Sequence, residues 1–110
     1  MALIWLDVHE PVRVFEDFEV YREVSGLTSC CLYRGALHHA QKMKLKRGVD
    51  TVVGTPDRIK DHIERGNIHL GSLKFRVLDE ADEMLRMGFV DDVELILGMY
   101  FCEYYFSGVV

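Results

Sequence analysis

Three carboxylates follow closely on a short apolar segment in the second half of the chain. Residues 75–78 read FRVL, and Asp79, Glu80 and Asp82 come directly after them. An acid at the end of a buried strand can hold a hydrated Mg²⁺, since this hard ion prefers oxygen ligands and keeps several waters. A neighbouring acid can orient and deprotonate a water that attacks a terminal phosphate. The simpler alternative is that these acids only stabilise a helix N-terminus, by about 0.3–1 kcal/mol each.

The pattern around these acids predicts helices that alternate with buried strands. Three short segments rich in apolar or β-branched residues are typical of strands, at 28–33, 49–54 and 75–78. Helical segments are predicted at 12–24, 38–47, 56–65, 81–87 and 90–97. Strands joined by crossovers of this length form a parallel sheet with helices on its faces. The sequence therefore predicts an α/β fold with Asp79 at the carboxyl end of a strand, where such sheets bind ligands.

Length and charge narrow the possible classes of protein. The chain has 110 residues and a formal net charge of −5, and 49% of its residues are hydrophobic. One small domain is the most that such a length can build. The acidic balance argues against nucleic-acid binding driven by the charge of the whole chain, although a local contact patch stays possible. The apolar run at 2–6 is too short to cross a bilayer, so no membrane anchor is predicted.

Two longer stretches carry a resemblance to a known family. Residues 77–89 read VLDEADEMLRMGF, and residues 47–66 read RGVDTVVGTPDRIKDHIERG. They resemble motif II and the Thr-Pro-Gly-Arg motif of the DEAD-box RNA helicases, with suitable spacing, and the resemblance covers about residues 14–98. The sequences of these two stretches are similar to those of plant nucleolar helicases of the RNA helicase II/Gu group. The resemblance implies an incomplete RecA-like parallel sheet with helices on both faces, and an intracellular protein of the nucleus or nucleolus.

The resemblance also implies roles for the three acids. Asp79 would bind Mg²⁺ on the phosphates of ATP, and Glu80 would activate the hydrolytic water. Asp82 would link the nucleotide to the rest of the ATPase core. ATP and Mg²⁺ are therefore the implied cofactors, and the complete protein is expected to couple ATP hydrolysis to the unwinding of RNA duplexes.

RNA is the implied macromolecular partner. The resemblance assigns Thr55 and Arg58 to contacts with the RNA sugar-phosphate backbone, the first through its hydroxyl and the second through its fork of donors. Gly35 matches the second glycine of a Gly-Gly element that lies along RNA. Two departures are expected to weaken this contact. Asp57 replaces a glycine and places a negative charge beside a phosphate, and Arg34 replaces the first glycine of the pair and restricts the backbone.

Parts of the family pattern are not found in these 110 residues. None of the nine glycines is followed by Lys and then Ser or Thr, so no G-x-x-x-x-G-K-[ST] loop occurs. Residues 1–13 are a divergent segment in place of the expected Pro-Thr-Arg-Glu-Leu-Ala element, and 99–110 form a divergent apolar tail after the partial helicase domain at 14–98. The second helicase lobe is also missing. This chain alone is therefore expected to be a poor ATPase.

Other reactive side chains have plainer interpretations. A basic run is typical of a solvated helix face and only secondarily of a phosphate contact; it comprises Lys42, Lys44, Lys46 and Arg47. The histidines at 38, 39, 62 and 69 lack a zinc-binding spacing. Cys30 and Cys31 alternate across a predicted strand, so they are expected to pack rather than to chelate or form a redox pair. The chain has three cysteines in total, and this odd number favours a reducing compartment.

Three interpretations stay open at this point. The chain is a segment of the first lobe of an RNA helicase, a non-catalytic fragment that contacts RNA, or a truncated product without activity. The third predicts exposed strand edges and apolar faces, and hence aggregation.

Overall fold

The structure is a computed structural model that describes residues 2–33 and 38–98 of the chain, except for the side chains of His38 and Ser72. Arg34, Gly35 and the tail at 99–110 lie outside the described residues, so the predictions made for them stay predictions.

Four parallel strands form one sheet. They are β1 (Leu3–Leu6), β2 (Ser29–Leu32), β3 (Thr51–Gly54) and β4 (Phe75–Leu78), and their order across the sheet is β2-β3-β1-β4. Five helices and one 3₁₀ turn connect and follow the strands: α1 (Pro11–Ser25), α2 (His38–Lys46), α3 (Pro56–Glu64), the 3₁₀ turn (Leu70–Ser72), α4 (Ala81–Arg86) and α5 (Val90–Leu97). The predicted α/β class with a parallel sheet is confirmed, and each predicted helix is present.

The strand β1 was not predicted. It lies between β3 and β4 and pairs with both, with Leu6 opposite Gly54 on one side and opposite Leu78 on the other. Its four residues alternate between the two faces of the sheet, with Ile4 and Leu6 fully buried. A run of four apolar residues is too short to show a strand period by itself, and the sequence analysis placed it in the divergent segment 1–13.

Helices cover both faces of the sheet. On one face, the inward side chains of the strands meet those of α3, α4 and α5 in a single buried cluster, which includes Ile4, Leu6, Leu32, Val52, Leu78, Ile59, Met84, Val93 and Ile96. On the other face α1 packs against β2 and β3. The rings of Trp5 and Phe18 make an edge-to-face contact there, with 5.9 Å between centroids.

Gly54, the last residue of β3, lets two strands approach closely. A Cβ at this position would clash with the backbone carbonyl oxygen of Leu32 and would lie 3.1 Å from the Leu32 Cβ. The same carbonyl accepts a hydrogen bond of 3.1 Å from the backbone N–H of Thr55. A side chain at position 54 would therefore displace the backbone that holds the end of β3.

We expect Gly54→Ala to destabilise the chain by about 1–3 kcal/mol or more, because backbone atoms cannot move aside as a flexible side chain can. Gly71→Ala is the matched control, since no heavy atom lies within 4 Å of a Cβ at that position. Thermal unfolding followed by circular dichroism measures both. Equal midpoints for the two variants would contradict the close approach at Gly54.

Candidate functional site

The carboxyl ends of three neighbouring strands bring polar residues to one edge of the sheet. Asp7 follows β1, Thr55 follows β3 and Asp79 follows β4. Backbone hydrogen bonds fix these positions: Asp79 N–H donates to the Leu6 carbonyl at 2.9 Å, and Asp7 N–H donates to the Gly54 carbonyl at 3.0 Å. Because β1 separates β3 from β4, the residues Thr55 and Asp79 start about 10 Å apart along this edge.

Asp79 and Glu80 lie at the end of β4, whereas Asp82 lies in the first turn of α4. Asp79 is half-buried, whereas Glu80 and Asp82 are exposed. Glu80 has a left-handed backbone conformation, with φ 59° and ψ 54°, immediately before α4. It is the one non-glycine residue with positive φ in the described part of the chain. Such a conformation is unfavourable for glutamate and aims its side chain away from the direction that a continuing strand would give.

A histidine that the sequence analysis did not single out lies against these acids. His9 Nε2 is 3.3 Å from a carboxylate oxygen of Glu80 and 3.3 Å from one of Glu83. The pKa of Glu83 is lowered, first by a hydrogen bond from Arg86 and to a lesser degree by His9. His9 therefore contacts the carboxylate of Glu80 from the neighbouring loop after β1.

Asp7 orients this loop. Its carboxylate is buried, and Oδ1 accepts backbone hydrogen bonds from His9 at 2.9 Å and from Glu10 at 3.2 Å. One signal in the sequence could have revealed it: LIWLD at 3–7 and FRVLD at 75–79 both have a mainly apolar stretch of four residues that ends in leucine and is followed by aspartate.

These acids border a cavity of about 450 Å³ on the side of the sheet that faces α1. Its lining includes Trp5, Asp7, Arg13, Asp79 and Glu80. Carboxylate oxygens at its rim suit a hard cation such as Mg²⁺, which commonly binds one or two protein carboxylates and retains waters. The described residues contain no group of three or more histidine, cysteine or acidic side chains placed to hold a metal ion. Asp79 would thus be one ligand of an ion otherwise bound to water and phosphate.

The same cavity is poorly suited to a triphosphate. Arg13 is the cation in its lining, and its guanidinium forms an ion pair with Glu10 through one hydrogen bond of 3.0 Å, which offsets its charge. The remaining charged residues in the lining are acidic, and they include Asp17. Among the described residues, this cavity therefore offers oxygen ligands for a cation and little for phosphate oxygens.

The Thr55–Arg58 segment begins α3 on the far side of β1. Thr55 occupies the N-cap position with Pro56 after it, but its hydroxyl makes no capping hydrogen bond. The Oγ1 atom is buried and has no hydrogen-bond partner among the described residues. Asp57 faces a depression lined also by Val8, whereas Arg58 lines a separate groove. Thr55 lines the same depression as Asp57, so the motif contributes to two separate surfaces.

The two described cysteines are reduced and lie on opposite faces of β2, as the alternation predicted. Cys30 belongs to the buried core. Burial raises the pKa of both thiols, and that of Cys31 rises to about 12, with a smaller contribution from Cys30. Since the thiolate is the reactive form, neither side chain is placed for nucleophilic or redox chemistry.

None of the described helices combines the length and the apolar character that a membrane span needs.

Comparison with known proteins identifies the family from which these features come. Residues 12–105 match the DEAD/DEAH box helicase family. The chain is 67% identical over 98 residues to DEAD-box ATP-dependent RNA helicase 7 of Arabidopsis thaliana and 65% identical over 98 residues to the spinach protein of the same name. These matches cover 88% of this chain but only 15% and 14% of the two relatives.

Solved structures show the same fold. A DEAD box protein from the hyperthermophile Methanococcus jannaschii superimposes with a TM-score of 0.82 at 40% identity, over 91% of this chain and 28% of that protein. A hypothetical ATP-dependent RNA helicase from Sulfolobus tokodaii gives a TM-score of 0.80 at 31% identity, over 89% of this chain and 30% of that protein. The sheet described above is thus part of a RecA-like domain.

We expect Thr55→Val to leave the free energy of unfolding unchanged or to raise it by up to about 1 kcal/mol, because it removes a buried hydroxyl without a partner. Thr28→Val is the matched control. The Thr28 hydroxyl donates to Asp50 at 3.2 Å and accepts from the Asp50 N–H at 3.3 Å, so its loss should cost about 1 kcal/mol. Urea denaturation compares the variants. Equal destabilisation would show that the Thr55 hydroxyl has a partner.

We expect Cys31 in the folded chain to resist alkylation by iodoacetamide as the pH rises from about 7 to 9. With a pKa of about 12, only about one thiol in 10⁵ is ionised near pH 7. In chemically unfolded chain the same thiol should react increasingly as the pH approaches its ordinary value of 9.0. Peptide mass spectrometry reports the labelling of each cysteine. Equal labelling rates in the two states would contradict the raised pKa.

Proposed function

Because this chain belongs to the DEAD/DEAH box helicase family, we propose that it forms part of the first lobe of an ATP-dependent RNA helicase. The observation that supports this most directly is the position of Asp79 and Glu80 at the end of β4, bound through the backbone to the neighbouring strand β1. Ligands of open α/β sheets bind at this edge. The chain spans about 15% of the Arabidopsis relative, so the activity proposed is that of a longer protein.

Each of the three acids has a separate role in the proposed hydrolysis of ATP. Asp79, half-buried at the strand end, would hold Mg²⁺, which when bound neutralises phosphate charge during hydrolysis. Glu80 would orient the attacking water and accept its proton. Asp82, exposed in the first turn of α4, would link the nucleotide site to the rest of the ATPase core.

His9 gives this arrangement a feature of its own. Its imidazole lies 3.3 Å from the Glu80 carboxylate, so it holds the proposed base in place from the loop after β1. The left-handed backbone of Glu80 is consistent with a side chain placed for function rather than for helix stability, since the simple helix-start explanation needs no such strain. The macrodipole interpretation of the acids therefore accounts for Asp82 better than for Glu80.

The second half of the proposed function is RNA contact. Thr55 and Arg58 lie at the start of α3 on the same edge of the sheet, and Gly35 is assigned to the same contact by its place in the sequence. The Thr55 hydroxyl makes no capping hydrogen bond, and because its Oγ1 atom is buried, contact with RNA would require this side chain to become accessible. Asp57 lies between them in the first turn of α3, where its charge suits the helix dipole but would repel phosphate.

Nucleotide binding by these residues alone would be weak. The sequence has no G-x-x-x-x-G-K-[ST] loop, and the acidic cavity beside Asp79 repels phosphate oxygens. A longer protein would have to supply this loop and the second lobe.

Two other functions have support from particular observations. A non-catalytic RNA-contacting fragment is favoured by the same acidic cavity, since RNA contact at α3 needs no triphosphate. An inactive truncated product is favoured by β4, which forms one edge of the described sheet and has Phe75 64% exposed at its start. Aggregation of the purified chain would support the latter, and a cooperatively unfolding monomer would count against it.

A chimera tests the proposed catalytic role. In the Arabidopsis relative, the matching 98-residue segment is replaced by that of this chain. We expect RNA-stimulated ATP hydrolysis that Glu80→Gln lowers by about 10²–10⁴-fold, because the base that takes the proton from water is lost. Phosphate release measures the rate.

Glu16→Gln is the matched control, since Glu16 is exposed on α1 and carries the same charge. Its turnover should equal that of the parent chimera. Undiminished turnover of Glu80→Gln would contradict the proposed role of Glu80. A folded chimera without any hydrolysis would favour the non-catalytic alternative.

A further inference from the structure

The helices α2 and α3 form a basic groove on a chain that is acidic overall. We define the α2–α3 groove by the six residues that line its volume of about 750 Å³: His39, Lys42, Arg58, Asp61, Arg65 and Asn67. The groove contains three cationic side chains and one carboxylate, whereas the chain as a whole has a net charge of −5. A concave surface of local positive charge attracts an anion.

Helical spacing explains why these side chains converge. His39 and Lys42 are three residues apart and share a face of α2. Arg58 and Asp61 share a face of α3 in the same way, and Arg65 follows four residues after Asp61. With a rise of about 1.5 Å per residue, Arg58 and Arg65 are separated by about 10 Å along the helix. Since phosphates of one nucleic-acid strand repeat about every 3.4 Å along a helix axis, the groove is long enough for more than one.

Buried hydrogen bonds fix the walls of the groove relative to each other. Gln41, next to Lys42, donates its amide N–H to the Tyr33 carbonyl at 3.0 Å, so its Oε1 accepts from His62 Nε2, also at 3.0 Å. The Nδ1 atom of His62 then accepts from the Asn67 amide at 3.0 Å. Gln41 and His62 are buried, and Asn67 itself lines the groove. The groove is thus held in shape before any ligand arrives.

The charges within the groove have different roles. Arg65 and Asp61 form an ion pair, with 3.1 Å between Nε and Oδ1. Among the described residues, no carboxylate pairs with Lys42. Lys42 therefore contributes a charge that a ligand can neutralise at little cost. The described residues of the lining include no Phe, Tyr or Trp ring, and its cations favour contacts with phosphates.

We propose that the α2–α3 groove binds the phosphate backbone of single-stranded RNA, and that Lys42 contacts a phosphate that the Thr55–Arg58 motif does not reach. The inference rests on the proposed function, because Arg58 belongs both to the groove and to that motif. Binding in the groove is independent of base sequence, since its donors reach phosphates rather than base edges. Two lysines of the basic run therefore have different roles. Lys42 faces RNA, whereas Lys44 lies over the ring of Phe15, 4.9 Å from its centroid.

Salt-dependent binding tests the groove with this chain itself. Fluorescence anisotropy of a labelled single-stranded oligouridylate is measured between about 50 and 200 mM salt. We expect Lys42→Gln to weaken binding several-fold and to reduce the slope of log K against log salt by about 0.7, the value for one lost phosphate contact. Lys42→Gln should weaken the binding of oligoadenylate by the same factor.

Lys74→Gln is the matched control. Lys74 is exposed just before β4, at the opposite edge of the sheet from Arg58, and its change removes the same charge. It should leave affinity and slope unchanged. Circular dichroism of both variants checks that the fold is kept.

Arg58→Ala separates the two proposals. Weaker binding in Arg58→Ala, together with equal binding in Lys42→Gln and Lys74→Gln, would overturn the groove while the proposed RNA contact stands. No RNA binding at low salt, or binding that depends on neither Arg58 nor Lys42, would overturn both. Binding to phosphatidylserine vesicles that depends on Lys42, without binding to RNA, would assign the groove to a membrane surface instead.

Discussion

The pairing of β1 with strands on both of its sides is the constraint on which the rest of the structure depends. Leu3–Leu6 lies between β3 and β4, and its register sets Leu6 opposite both Gly54 and Leu78. The three strands consequently end at the same level. Asp7, Thr55 and Asp79 are brought to one edge by this alignment, although they are separated by up to 72 positions along the chain. Moving β1 by one residue would also turn Ile4 and Leu6 out of the core.

Much of this fold follows from the local sequence. The segments at 75–78 and 90–97 have the predicted boundaries, and α3 begins at Pro56 because proline suits the first turn of a helix. Strand β1 could not be predicted in the same way. Four apolar residues without flanking turn signals gain their strand character from hydrogen bonds to two distant neighbours, which only the folded chain supplies.

The residues of the candidate site also differ in whether the local sequence could predict them. Asp79 and Glu80 were predicted because acids after an apolar strand occur within a few residues of each other. The contact of His9 with Glu80 was not predicted, because it joins residues 71 positions apart through the pairing of β1 with β4. Thr55 occupies the N-cap of α3 but makes no capping hydrogen bond, for a related reason. Propensity favours Thr55 at the N-cap, but the surroundings of its side chain decide whether the hydroxyl can turn toward the helix.

The charges of this chain are distributed unevenly about β1. The cavity between α1 and Asp79 has five acidic residues and one cation in its lining, which suits a cation and repels phosphate. On the β3 side, the α2–α3 groove has an excess of cations and a rigid, hydrogen-bonded base. The proposed cation site and the proposed polyanion site can lie on one small sheet only if they are kept apart, because charges of opposite sign within a few ångströms would pair with each other. Strand β1 supplies that separation, while its backbone also connects the two sides rigidly. The hydrogen bonds from Asp7 N–H to the Gly54 carbonyl and from Asp79 N–H to the Leu6 carbonyl form this connection.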